Sequence, residues 1–207
     1  RHHALHCLAR LELDGLRRRE QRLHPLPVLR RLAAPFLRNL CDLHRENVNL
    51  AILDDVDVVY VDVVESQQRV KLAAVPGQRL PAFCTASGKA ILAFLPEENL
   101  KRILGRGMPQ RTQFTLSSPE AFFENLHHAR ERGFAISEQE YEDGINAVAA
   151  PIFGGERPIA SISIAGPAYR LTRERMLELG PQVVKTAREI AQEVEMAENH
   201  PFEFRQK

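Results

Sequence analysis

The chain has 207 residues, of which 44% are hydrophobic and 27% are charged, so it is long and apolar enough to bury a core without disulfides or metal ions. Its formal net charge is only +1, which argues against a protein dedicated to binding nucleic acid. This composition is that of a globular protein and predicts a single domain with room for a helical extension.

The N-terminal part of the chain is expected to be helical and basic. Residues 4–23 could form a poorly patterned helix, and Pro25 and Pro27 interrupt the chain after it. Residues 1–38 hold nine Arg or Lys against three Asp or Glu, so this end could lie near DNA, although a solvated helix face is the simpler interpretation. Leu and Phe then recur at steps of three and four, which predicts an amphipathic helix over residues 27–45.

Strands are expected next, because the apolar pattern changes and β-branched residues become frequent. Residues 47–53 and 56–64 flank Asp54-Asp55, which predicts a β-hairpin. Residues 68–75 are a third strand candidate, closed by Pro76-Gly77.

Helices are expected in the middle of the chain. One spans residues 85–95 and ends at Pro96, and a second runs from Pro96 to residue 104. A third begins at Ser118, with a capping hydroxyl and a proline at the first helical position, and ends at Gly133.

The C-terminal part returns to strands and ends in a long helix. Short apolar strands are predicted at 134–137, 147–153 and 158–165, the last two joined by a hairpin at Gly154-Gly155. Strands joined by hairpins favour an antiparallel sheet with helices packed on it, an α+β fold. The final helix begins near Thr172 and carries an apolar stripe: Met176, Leu179, Val183, Ala187, Ile190 and Val194.

Cysteine usage and hydropathy point to the cytoplasm. Cys7, Cys41 and Cys84 are widely spaced, so neither a disulfide framework nor a zinc site is indicated. No apolar run approaches the roughly 20 residues that cross a bilayer, and Arg1 opens a charged segment unlike a secretory signal. We therefore expect no membrane partner and, since residue 1 is not Met, a fragment of a longer protein.

The start of the helix at residues 85–95 is the most informative local feature. Backbone N–H groups in a first helical turn lack intrahelical partners, and the helix dipole adds partial positive charge. Such a turn could bind a carboxylate or phosphate, with Thr85 or Ser87 adding a hydroxyl. An ordinary capped helix, closely packed at Gly88, is the plainer alternative.

Motifs for catalysis or metal binding are weak. The pair Gly88-Lys89 lacks the flanking residues of a phosphate-binding P-loop. The stretch 138–143 is rich in acidic residues and could supply catalytic carboxylates, but a solvated turn is favoured. Four N-terminal side chains could gather a metal ion, although adventitious binding is favoured and no metal site is expected: His2, His3, His6 and Cys7.

Eight short motifs follow one another along residues 28–197. In chain order they are NLA (49–51), VVYV (58–61), PG-x-RLP (76–81), TASGKAILA (85–93), RGFA (132–135), Glu140 with Gly144-Ile145, AAPIF (149–153) and ISIAGP (162–167). Together they resemble the IclR family of bacterial transcription regulators. The resemblance implies a GAF-like α+β fold, a central antiparallel sheet flanked by helices, with an effector bound in a cleft on one face.

The resemblance also implies a domain organisation and partners. Residues 27–198 would be the effector-binding domain, residues 1–26 a linker helix region leading from a helix-turn-helix domain that this chain lacks, and residues 199–207 a flexible tail. Operator DNA would be contacted only through that missing domain. The expected partners are a small carboxylate effector and further copies of the chain in a dimer or tetramer, with no enzymatic activity and no cofactor.

Site residues are implied by the same resemblance. Relatives that sense tiny keto acids line the cleft with Asp, Cys and two Ser, whereas this sequence brings Ala to two of the corresponding positions. A larger and more apolar cleft follows, and we expect a larger ligand such as an aromatic carboxylate, with its acid group on the amides of residues 86–88. The implied site consists of Leu72, Thr85, Ala86, Ser87, Gly88, Ser137, Glu138, Ala147, Ser163 and Ala165.

Two other functions stay open from the sequence. The chain could be an enzyme acting on a small acid, with Lys89 or Glu140 in the cleft. It could also be a structural oligomerisation module whose cleft binds nothing. A repressor and an activator would have the same sequence features here.

Overall fold

A computed structural model describes residues 26–199. The expectations for the N-terminal linker region, its His- and Cys-containing group and the C-terminal tail beyond residue 199 lie outside this range. Of the helices in the described range, none combines the length and the apolar character that crossing a lipid bilayer requires.

Helices and strands alternate in groups along residues 26–199. The elements are α1 (Leu26–His44), β1 (Asn47–Asp54), β2 (Asp57–Val64), β3 (Arg79–Pro81), a 3-10 turn (Ala82–Cys84), α2 (Ala86–Leu92), α3 (Glu97–Gly105), α4 (Pro119–Arg132), β4 (Ala135–Glu138), β5 (Ile145–Gly154), β6 (Arg157–Pro167) and α5 (Arg173–Asn199).

The strands form one antiparallel sheet in the order β3-β2-β1-β6-β5-β4. Two hairpins, β1-β2 and β5-β6, meet at its centre, where Asn49 on β1 lies opposite Ser163 on β6. Register shifts at Leu50/Ala51 and Ile152/Phe153 increase the local twist, so the sheet curls. The predicted α+β fold, an antiparallel sheet flanked by helices, is confirmed.

The sheet separates two apolar cores. Side chains of alternate residues point to opposite faces, so residues such as Leu50 and Ile162 pack against α1 and α5. The other face carries smaller residues, among them Ala51 and Ala149, and packs against α2, α3 and α4. These small side chains leave space above the sheet, which is where the candidate site lies.

The long helix α5 covers the first face as its sequence predicts. All six residues of its predicted stripe are buried. Gly180 brings the helix backbone against Phe134, since a Cβ at this position would lie 2.3 Å from the Phe134 ring. Burying each large aliphatic side chain contributes about 1.5–3 kcal/mol, so this stripe anchors the helix to the sheet.

The third strand was predicted at the wrong place. Residues 68–75 form no strand, because side chains take the place of a partner strand: Asn47 Nδ2 donates to Leu72 O at 2.9 Å, and Gln78 Oε1 accepts from Val75 N at 3.3 Å. The strand that pairs with β2 is instead β3, which spans only three residues.

Candidate functional site

The turn before α2 is fixed by side-chain and backbone packing. Thr85 is extended (φ −120°, ψ 145°) and caps the helix, because its Oγ1 accepts from Gly88 N at 3.2 Å. The same hydroxyl donates to Pro81 O at 3.2 Å. Gly88 meets the 3-10 turn so closely that a Cβ would lie 2.1 Å from Ala82 O. The 3-10 turn and the helix start therefore hold each other in place.

A cleft opens beside this turn, with about 530 Å³ of empty space that includes a region open to solvent. It lies between the start of α2, the small-residue face of the sheet and residues 65–78, which we call the covering segment. The lining residues are Tyr60, Leu72, Ala73, Ala74, Gln78, Leu80, Cys84, Thr85, Ala86, Ser87, Ser137, Tyr141, Glu142, Ile145, Ala147, Ser163 and Ala165.

Most of the site residues expected from the sequence meet at this cleft. Those that line it are Leu72, Thr85, Ala86, Ser87, Ser137, Ala147, Ser163 and Ala165. Gly88 does not line it, and its amide is occupied by Thr85. Glu138 also lies outside the lining and forms an ion pair with Arg173 near the surface. Of the amides at 86–88, those of Ala86 and Ser87 therefore stay available in the first turn.

Several hydroxyls of the lining are already committed to the protein. Ser137 Oγ donates to Cys84 O at 3.2 Å, which ties β4 to the 3-10 turn. Ser163 Oγ accepts from Asn49 Nδ2 at 3.4 Å. In contrast, the hydroxyls of Ser87 and Tyr60 form no hydrogen bond with any residue between 26 and 199, although these residues are only 3% and 6% exposed.

Burial disfavours the ionised forms of two lining residues, Tyr60 and Cys84. Desolvation, with a smaller contribution from the nearby Tyr141 phenol, raises the pKa of Tyr60 to about 12. Desolvation also raises the pKa of the Cys84 thiol to about 12, with a smaller contribution from Glu140. At neutral pH the cleft thus presents a phenol and a thiol rather than their anions, and Cys84 is a poor nucleophile.

The covering segment is tied to the sheet by polar contacts. Arg170 donates to both carboxylate oxygens of the buried Glu46, at 2.7 and 2.9 Å, and its Nη2 also donates to Val70 O at 2.8 Å. Asn47 Oδ1 accepts from Ser66 N at 2.9 Å while its Nδ2 holds the segment at Leu72. Charged and amide side chains therefore determine where this wall of the cleft lies.

Lys89 and Glu140 lie behind the cleft rather than in it. Lys89 Nζ is 2.5 Å from Glu140 Oε1, the two side chains are 0% and 7% exposed, and neither residue belongs to the lining. Desolvation lowers the pKa of Lys89, and the Glu140 carboxylate opposes that shift. The interpretation of residues 138–143 as a solvated turn is therefore wrong for Glu140, because this carboxylate pairs with a buried cation.

Sequence reasoning missed several lining residues, among them Tyr60, Gln78 and Tyr141. The sequence could have indicated Tyr60, because it follows the buried Val58 by two residues on β2 and therefore points to the same face of the sheet.

The only group that could gather a metal ion within residues 26–199 is His127, His128 and Glu131. All three are exposed on α4, away from the cleft, so they lack the enclosed surroundings of a specific metal site.

Comparison with known proteins gives consistent matches. Residues 22–192 match the family model described as "Bacterial transcriptional regulator IclR C-terminal". The transcriptional repressor IclR of Escherichia coli K12 is 39% identical over 160 residues, which make up 75% of this chain and 58% of that protein. The chain therefore spans less than two thirds of the length of this curated relative.

Solved structures agree in fold. The crystal structure of the Thermotoga maritima IclR protein has 32% identity and a TM-score of 0.77, covering 84% of this chain and 72% of its own. A double mutant of the PobR inducer-binding domain from Acinetobacter, solved with 3-hydroxybenzoic acid, has 27% identity and a TM-score of 0.72 over 78% of this chain and 96% of its own.

Proposed function

The chain belongs to the IclR family of bacterial transcription regulators, and from that premise we propose that it is an effector-binding and oligomerisation domain that senses a small organic acid. In this proposal, effector binding controls the DNA affinity of the full-length protein. Membership in this family makes the chain part of a regulator rather than an enzyme.

The cleft beside α2 is the observation that carries the proposal. Its apolar walls, including Leu72, Ala147 and Ala165, suit the carbon skeleton of a small molecule, and a few polar groups among them can fix its orientation. The amides of Ala86 and Ser87 and the Ser87 hydroxyl would receive the acid group. With Ala at two sheet positions, the cleft favours an aromatic over a two-carbon acid, and the PobR domain supports this because it was solved with an aromatic acid.

The regulatory mechanism follows from thermodynamic linkage. A ligand can shift the arrangement of subunits in a dimer or tetramer only by its differential affinity for the two arrangements. Residues 1–26 would pass that change from the effector-binding domain, residues 27–198, to a helix-turn-helix domain on operator DNA. The proposal places the protein in the bacterial cytoplasm, in keeping with the free thiols of Cys41 and Cys84.

An enzymatic reading has weak support from the site. Its candidates, Lys89 and Glu140, form an ion pair outside the lining of the cleft. A structural module with an empty cleft is the remaining alternative, and saturable ligand binding would exclude it.

Thermal unfolding against a panel of aliphatic and aromatic carboxylates tests the proposal. A ligand at a hundred times its dissociation constant stabilises the folded state by about 2.7 kcal/mol, which for a chain of this size raises Tm by about 5–10 °C. Ser87→Leu and Ala147→Leu, on two walls of the cleft, should abolish the rise. Ser117→Leu, at an exposed loop position, should leave it intact. A panel without any shift would count against effector binding.

A further inference from the structure

The cleft is lined by a polar group, the Tyr60 hydroxyl, whose role the proposed function leaves unassigned. Tyr60 lines the wall formed by β2, is 6% exposed, and its hydroxyl bonds to no residue between 26 and 199. The Tyr60 oxygen is not one of the fully buried polar atoms that lack a partner, so it is accessible from the cleft. A ligand that displaces water from this hydroxyl preserves its hydrogen bond only by offering an acceptor in the same place.

The backbone around Tyr60 holds the phenol in a fixed place. Tyr60 N donates to Gln78 O at 3.0 Å, and Gly77 N donates to Tyr60 O at 2.7 Å. Tyr60 also lies opposite Ala51 in the β1-β2 ladder. The phenol is thus presented by a paired strand rather than by a mobile loop, which is what a specificity-determining contact requires.

Tyr60 and Ser87 belong to different walls of the cleft. Tyr60 lies on β2, near one edge of the sheet, whereas Ser87 lies in the first turn of α2, beside the 3-10 turn that Ser137 of β4 contacts. These two hydroxyls have no hydrogen-bond partner in residues 26–199, although both residues are buried. A ligand whose carboxylate lies at Ser87 can satisfy both hydroxyls if it carries a second polar group that reaches Tyr60.

The charges around the cleft limit what the second polar group can be. The lining includes one charged side chain, the exposed Glu142, and no Lys, Arg or His. A second carboxylate would therefore meet an acidic side chain and no cation. The Tyr60 phenol is neutral at neutral pH, since burial only moves its pKa further above that range, and it can donate to an uncharged oxygen without adding charge to the cleft.

We propose that Tyr60 determines the specificity of the site by donating a hydrogen bond to an uncharged hydroxyl or carbonyl oxygen that the ligand carries in addition to its carboxylate. This inference rests on the proposed function and narrows it: the effector is a monocarboxylate that carries a second, uncharged oxygen function, and simple hydrocarbon acids are poor ligands.

Matched pairs of acids test this inference by calorimetric titration of the 207-residue chain. The pairs are benzoate with its 2-, 3- and 4-hydroxy derivatives, and pentanoate with 5-hydroxypentanoate. In the wild type at least one hydroxylated acid should bind about 3- to 10-fold more tightly than its parent, the range expected for one net hydrogen bond. In Tyr60→Phe that advantage should disappear, while the affinity for the parent acid stays within about twofold.

Ser117→Ala is the control, because it also removes a hydroxyl but Ser117 is exposed and lies outside the cleft lining. An advantage that survives in Tyr60→Phe, or parent acids that bind the wild type as tightly as every hydroxylated partner, would overturn the inference and leave the proposed function standing. If no acid binds the wild type at all, the proposed function and the inference both fail. The Tm of ligand-free Tyr60→Phe must stay within a few degrees of wild type for the comparison to count.

Discussion

Lys89 and Glu140, which are 51 residues apart in the chain, form a buried ion pair 2.5 Å long between α2 and the loop before β5. The Glu140 backbone is held as well, because Thr115 Oγ1 donates to Glu140 O at 2.7 Å. The pair thereby links α2 with the loop that carries Tyr141, so two parts of the cleft lining depend on it.

We expect Lys89→Met to destabilise the protein by about 3–5 kcal/mol, because it leaves the Glu140 carboxylate buried without its cation. The double variant Lys89→Met with Glu140→Met should recover a large part of that loss, since neither charge is then left alone. Urea unfolding measures both values. Lys101→Met is the control: its pair with Glu97 is exposed, with 70% and 72% of the side chains accessible, and should change stability by less than about 0.5 kcal/mol. A single-variant loss below about 1 kcal/mol would contradict this account.

Gly88→Ala should destabilise the protein by at least about 1–3 kcal/mol and weaken effector binding, because the added Cβ collides with the backbone of Ala82. Gly105→Ala provides a matched control, since a Cβ there meets no atom within 4 Å and Gly105 ends a helix. That variant should be neutral or more stable by up to about 1 kcal/mol. Equal unfolding midpoints for the two variants would refute the packing argument at Gly88.

Arg170→Ala should loosen the covering segment without unfolding the sheet. The substitution removes the donor to Val70 O and leaves the buried Glu46 without its partner. Amide hydrogen exchange in residues 65–78 is expected to accelerate by on the order of tenfold, relative to the strands. Lys71→Ala is the control within the segment, because its ion pair with Glu65 is solvent-accessible, with 35% and 53% of the side chains exposed, and contributes little. Uniform acceleration throughout the sheet would instead indicate global destabilisation.

His44 should make the protein less stable in mild acid. Desolvation, and then the positive charge of Arg175, lowers the pKa of His44 below its unfolded value of 6.5. Between the two pKa values the unfolded chain binds more protons, so the free energy of unfolding falls as the pH drops through about 6.5 towards the folded pKa. His44→Gln should reduce the loss measured in urea between pH 7.5 and pH 5.5. The same loss in both proteins would show that His44 does not contribute.

Local sequence patterns were sufficient to predict the helices α4 and α5. The stripe of α5 has a helical period and is buried, and Ser118 and Gly133 mark the ends of α4: Ser118 Oγ accepts from Ala121 N, and Gly133 has φ 81°. Such features involve residues close in sequence. The three-residue strand β3 is too short to show a period, and its pairing with β2 depends on a contact made in the folded chain.

The site residues could be predicted from the sequence mainly through its resemblance to the IclR family. Thr85 and Ser87 could be selected from the helix-start pattern, but Ala147 and Ala165 carry no chemical signal of their own and were placed by family motifs. Lys89 and Glu140 could not be paired, because nothing local relates two residues so distant in sequence. Gly88 was expected at the ligand, although its amide is consumed by the Thr85 cap.

The two edge strands of the sheet also affect how readily the protein aggregates at high concentration. The outermost strands, β3 and β4, have three and four residues, and β3 ends in Pro81, which has no amide hydrogen. Short edge strands of this kind offer few unpaired backbone N–H and C=O groups to a strand from another molecule. Copies of the domain are thus poorly suited to joining their sheets into a continuous aggregate, and specific association must use side-chain surfaces instead.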